Sequence, residues 1–175
     1  MKKLSTLSVG FVIALGSLTS SYGQVLASST ISGTPDPVVS GEYDYTLTLT
    51  ALPGSIPIES FWFAWTPGHF YLGSAPTSIS GGGGWTGTAS STSIQFVDGT
   101  PISAGNSETF QFDNTDTPSQ MATEVGPAHS VAYSGGIFST PSETIGVQAV
   151  PEPSVLSLLT VSAAGFGVRM FRKKK

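Results

Sequence analysis

The chain has 175 residues, a net charge of −4, no cysteine, and seven Lys and Arg against eleven Asp and Glu. All seven bases stand at the ends, at Lys2, Lys3, Arg169, Arg172, Lys173, Lys174 and Lys175, so the acids from Asp36 to Glu143 have no Lys or Arg near them in sequence. That distribution excludes phosphate neutralisation, and with it nucleic-acid binding, by the central region; the missing cysteines exclude disulfides, thiol catalysis and Cys-ligated metal.

The first element is an export signal. Lys2 and Lys3 precede an apolar stretch over residues 4–18, and small residues follow it. A basic start, a short apolar helix and a small-residue exit are the parts of a secretory signal peptide. Cleavage after Ala27 or after Gly23 satisfies the small-residue rule, and residues 1–27 are the expected signal segment. The alternative is an uncleaved anchor helix, for which the apolar run is short.

Residues 28–149 are the expected domain. About 120 residues is one domain's worth of chain, long enough for one core. Residues 42–50 alternate, with Tyr43, Tyr45, Leu47 and Leu49 on one face and Asp44, Thr46 and Thr48 on the other. That period of two predicts a half-buried antiparallel strand. Residues 58–65 are aromatic on both faces and predict a buried central strand. Shorter strands are expected at 69–72, 85–89, 93–97, 108–112, 130–133, 136–138 and 144–149. Ile94 with Phe96, and Phe110 with Phe112, are the inward pairs. Turn signals fall at 52–55, 81–84, 98–101 and 104–106. No amphipathic helix is visible in this region. The pattern predicts an all-β fold, a single antiparallel β-sandwich of jelly-roll or immunoglobulin-like topology.

Few residues in the domain suggest chemistry. His69 and His129 are the only imidazoles, and no Gly-x-Ser-x-Gly elbow is present. Glu42 and Asp44 share a solvent face of one strand, which is not the arrangement of a glycosidase pair. The expectation is therefore a protein that is not an enzyme, with no catalytic residue and no cofactor. Asp113 and Asp116 frame an oxygen-rich loop that is the one calcium candidate, against an ordinary Asx turn. The aromatic residues Trp62, Trp65, Phe70, Tyr71 and Trp85 belong to the core if buried and form a sugar-stacking platform if exposed. Trp85, which follows four glycines, and Trp65 are the candidate glycan contacts. Those glycines have no helix after them and no lysine nearby, as a phosphate-binding loop requires.

The last element has three parts. Pro151-Glu152-Pro153 opens it, an apolar segment runs from Val155 to Val168, and Arg169, Arg172, Lys173, Lys174 and Lys175 close it. The prolines bar a helix from extending backward, and Ser154 can cap one starting at Val155. That C-terminal hydrophobic helix would reach about 21 Å, or about 26 Å with residues 169–171, a marginal membrane span. The basic tail would remain cytoplasmic.

This tripartite end, residues 150–175 behind an N-terminal signal, resembles the PEP-CTERM sorting domain of Gram-negative bacteria. Ser157, Thr160 and Ser162 make the apolar part somewhat polar, and Met170 and Phe171 interrupt the basic cluster. The resemblance implies recognition by exosortase, a membrane-embedded cysteine protease, and processing near Pro151-Glu152-Pro153. It implies export through signal peptidase, transient membrane insertion of the C-terminal helix in an inner-membrane intermediate, and delivery to the cell surface or extracellular matrix. Exopolysaccharide is the candidate partner, because such proteins commonly accompany its production. The domain itself, at Phe61-Trp62-Phe63-Ala64-Trp65-Thr66-Pro67, Gly84-Trp85 and residues 104–112, is loosely similar to uncharacterised β-sandwich domains found ahead of this tail. The expected function is a non-catalytic structural or adhesive surface protein. The alternative is a carbohydrate-binding module that tethers cells to exopolysaccharide.

Overall fold

The computed structural model describes residues 23–150. Two five-stranded sheets face each other across one core. The first has β1 (Ala27–Pro35), β2 (Tyr43–Ala51), β6 (Thr77–Gly81), β9 (Ser107–Asn114) and β12 (Val147–Ala149), in the order β12-β1-β2-β9-β6. The second has β3 (Ser60–Phe63), β7 (Thr86–Ala89), β8 (Ile94–Val97), β10 (Ser130–Tyr133) and β11 (Ser142–Ile145), in the order β11-β10-β3-β8-β7. A small third sheet pairs β4 (Trp65–Thr66) with β5 (His69–Phe70). Among the described residues one helix, α1 (Pro118–Val125), sits between β9 and β10 in the chain.

Alternation along the strands builds the core. On β2, Tyr45, Leu47 and Leu49 point inward, and on β9 Phe110 and Phe112 stand opposite Leu47 and Tyr45. Phe61 and Phe63 of β3, with Ile94 and Phe96 of β8, supply the other wall. Rings meet across the interface: Phe63 and Phe112 have centroids 5.4 Å apart, and Phe96 and Phe110 4.2 Å. Each such ring contributes roughly 1.5–3 kcal/mol by leaving water.

This architecture corrects the expected single antiparallel sandwich bracketed by two helices. Among the described residues there are three separate sheets, none closed into a barrel, and β12 pairs parallel with β1. The parallel edge arises because the expected strand 144–149 divides at Gly146, with β11 in one sheet and β12 in the other. A side chain at Gly146 would put its Cβ 2.4 Å from the Gly126 carbonyl oxygen, so the crossover needs glycine. The helix is internal. Thr117 caps α1 in a reciprocal capping box with Gln120, Pro118 starts it, and Met121 and Val125 enter the core. Residues 136–138 form a turn in place of the expected strand.

Among the described residues no helix is long and apolar enough to cross a membrane. The expected membrane-inserted intermediate, with its inner-membrane localisation, therefore has no spanning helix among those residues to rest on and is set aside. The N-terminal and C-terminal helices themselves were read on segments outside the described residues, apart from residues 23–27. Of those five, residues 23–26 are irregular chain leading into β1, and Ala27 is its first residue.

Strand parity fails at one informative place. Regular alternation would put Trp62 and Ala64 on one face, and Phe63 and Trp65 on the other. Ala64 instead adopts φ of 54°, in the left-handed region. The reversal leaves Phe61, Phe63 and Ala64 in the main core and brings Trp65 beside Trp62 on the outer face of the second sheet. There the two indoles stack with centroids 3.7 Å apart and planes 5° from parallel. Val131 and Tyr133 complete this second cluster, and Phe138 meets both indoles edge-on.

Ala64→Gly should change stability by less than about 1 kcal/mol, since relief of left-handed strain offsets the added chain entropy. Ala64→Val should cost about 2 kcal/mol or more. Denaturant unfolding measures both, and the far-ultraviolet exciton couplet of the stacked indoles should persist in the glycine variant and vanish in Trp65→Leu.

Candidate functional site

Two acidic groups stand out, and both follow from the position of β9. Along its end Asp113 faces outward while Asn114 turns in, and the chain then carries Asp116 inward.

The inner group joins three segments. The Asn114 Oδ1 accepts from the Asp116 N–H at 2.7 Å and from the Ser74 hydroxyl, while its amide donates to the Ser74 carbonyl. The Asp116 Oδ2 accepts from the backbone N–H groups of Gly73 and Ser74, at 3.0 and 3.2 Å. The Tyr45 hydroxyl donates to the Asp116 carbonyl. Glu124 of α1 comes beside Asp116 over Gly73, where an added Cβ would lie 2.8 Å from Asp116 Oδ1 and 3.1 Å from Glu124 Oε1. Burial raises the Glu124 pKa above its ordinary value, and the Asp116 charge raises it further. A Gly73 backbone hydrogen bond works the other way. Glu124 Oε2 is buried and has no hydrogen-bond partner among the described residues. The environment thus favours the protonated form of Glu124. Burial and the Asp116 charge also push the Tyr45 phenol well up.

The outer group is Asp36, Asp44 and Asp113, whose carboxylate oxygens lie within 4.8 Å of one another. Register brings them together: Asp44 is opposite Asp113 on β9, and Thr34 is opposite Asp44 on β1, just ahead of Asp36. Asp36 accepts from the N–H groups of Val38 and Val39, which lowers its pKa. The pKa of Asp44 is raised, first by desolvation and then by its two acidic neighbours. Three carboxylates in this arrangement offer hard oxygen ligands to a divalent cation and equally favour a proton on Asp44.

The expected calcium pair is thereby divided. Asp113 belongs to the outer group, whereas the Asp116 side chain is engaged by backbone donors inside. The candidate glycan contacts are also internal. Trp85 is 4% exposed, packs edge-on against Phe110 in the main core, and donates its indole N–H to the Thr100 carbonyl. Trp65 is 5% exposed, and Phe138, itself 67% exposed, covers the stacked pair. The His129 ring stacks on Tyr71 at 3.5 Å, and its Nδ1 is hydrogen-bonded to the Glu124 carbonyl. His69 is exposed on β5.

Sequence reasoning missed Glu124 and Gly73 because it placed no helix at 118–125. The cap signature Thr117-Pro118-Ser119-Gln120 was the available signal. Pro151, Glu152, Pro153, Arg169, Arg172, Lys173, Lys174 and Lys175 lie outside the described residues. No family model matches the chain, and no curated protein is significantly similar to it.

Because the folded state raises the Glu124 pKa, it binds that proton more tightly than the unfolded chain does. The resulting stability is present in acid and is lost as pH rises from 4.5, the ordinary Glu value, through the raised one. Glu124→Gln should therefore melt a few degrees higher than the parent at neutral pH and lose this part of the pH dependence in thermal melts. Asp44→Asn relieves like-charge repulsion at the surface. It too should raise the melting temperature, by an increment that shrinks in molar salt.

Proposed function

We propose that the chain is an exported, exosortase-sorted protein of the cell surface or extracellular matrix, whose β body serves a non-catalytic structural or adhesive role. The observation that carries this reading is the separation of charge from core. The hydrophobic core closes on itself between Val25 and Val147, and every Lys and Arg lies outside that interval. The basic ends are thus appendages to a self-contained body, as address segments are. Burial of Trp65 and Trp85 favours the structural role over the carbohydrate-binding one, since a sugar ring stacks only on an accessible face.

Expression of the full chain in an exosortase-bearing Gram-negative host tests this. The surface fraction should contain the body without Arg169 to Lys175, as read by intact mass. Replacing Pro151-Glu152-Pro153 with alanines should abolish that trimming. A surface form that retains the basic tail refutes the sorting assignment.

A further inference from the structure

We infer that the N-terminal processing bond is Gly23–Gln24 and that the mature body begins at Gln24. This rests on the export reading above and departs from the sequence expectation of a cut after Ala27, taking the alternative bond after Gly23. Ser21 with Gly23, and Val25 with Ala27, both satisfy the small-residue requirement ahead of a cut.

The fold treats the two bonds differently. Residues 24–27 lie along the turn at 52–56 and are bonded to it. The Ile56 N–H donates to the Gln24 carbonyl at 2.9 Å, and the Leu52 N–H donates to the Leu26 carbonyl at 2.8 Å. The Leu26 N–H donates to the Ser55 hydroxyl at 2.9 Å. The Ala27 N–H donates to Glu143 Oε2, and Ala27 pairs with Ala51 as the first residue of β1. Val25 is 4% exposed and belongs to the main core. A cut after Ala27 would empty the Val25 site and remove the partners of the Leu52 and Ile56 N–H groups. It would also leave the buried Ser55 hydroxyl without the donor that now reaches it. Gly23 is exposed, and a cut behind it breaks none of these bonds.

The step is a hydrolysis. Water adds across the Gly23–Gln24 peptide bond, leaving a carboxylate on Gly23 and an α-amine on Gln24. Gln24 is exposed, so that amine is free to attack its own side-chain amide carbon, forming a lactam and expelling ammonia. The mature chain then begins with either glutamine or its cyclised form.

The test is mass spectrometry of the N-terminal peptide of the full chain recovered after export. A start at Gln24, free or short of one ammonia, is expected. A start at Ser28, or at any other residue past Met1, overturns the bond assignment and leaves export standing. Retention of Met1 overturns signal-peptide cleavage altogether, in favour of the uncleaved anchor. A second arm uses Val25→Thr in the full chain. If Val25 is retained, the exported product carries the mass change and melts lower than the parent, by a shift on the order of 5–10 °C. Exported parent and variant of identical mass and melting temperature overturn the inference.

Discussion

Ten carboxylates from Asp36 to Glu143 have to be accommodated by a body that holds no Lys or Arg, and this constraint organises much of its polar structure. No ion pair with Lys or Arg can form inside the body, so each acid is solvated, bonded to backbone N–H groups or protonated. Asp36 caps its own turn through Val38 and Val39, Asp116 takes Gly73 and Ser74, and Glu143 takes Ala27. These bonds join segments distant in sequence: Gly73 with Asp116, and Ala27 with Glu143. Backbone donors here do the cross-linking that lysine and arginine do elsewhere. At Glu124 and Asp44, desolvation and then acidic neighbours raise the pKa, which favours the protonated form.

Apolar packing supplies the cohesion that the acids oppose. The main core is rich in phenylalanine, and β3 sits at the centre of its sheet with all four residues buried. Burial on both faces is what lets β3 serve two clusters at once, Phe61 and Phe63 inward and Trp62 outward. The left-handed Ala64 is the price of that arrangement. Its strain of about 1–2 kcal/mol is small against the burial of two indoles. The Trp62 indole N–H is also bonded, to the Ser93 hydroxyl at 2.9 Å, so the second cluster buries no unpaired indole donor at that residue.

Period-two elements with large apolar residues were legible in sequence. The strand at 130–133 matches β10 at both bounds, and 42–50 differs from β2 by one residue at each end. Missed elements share a cause: their inward faces carry small or polar residues. β1 buries Ala27, Ser29, Ile31 and Gly33, and only Ile31 reads as a core residue. β6 is a Ser-, Thr- and Gly-rich edge strand. α1 is too short for periodicity, with two apolar anchors in eight residues, although its capping box was written in the sequence. The acidic groups were less legible than the strands. Asp113 was singled out, but its partners Asp36 and Asp44 meet it only through β1–β2–β9 register, which is a tertiary fact. The tryptophans stood as a choice between core and surface; burial of the Trp62–Trp65 pair depends on Ala64 and on Phe138, neither of which has a sequence signal, while Trp85 packs in the main core.

The charge constraint also narrows what such a body can hold to. An acidic surface without bases repels acidic polymers at low ionic strength, and attraction to them would need bridging cations. Copies of the body repel one another in the same way, which opposes edge-to-edge stacking through β12 and β6. Contact with a neutral polymer carries no such penalty, but the described tryptophans that would grip a sugar are already engaged inside. A structural role asks less of the surface. It needs a body whose fold does without disulfides, and the continuous aromatic core between the two sheets is the cohesion available for that.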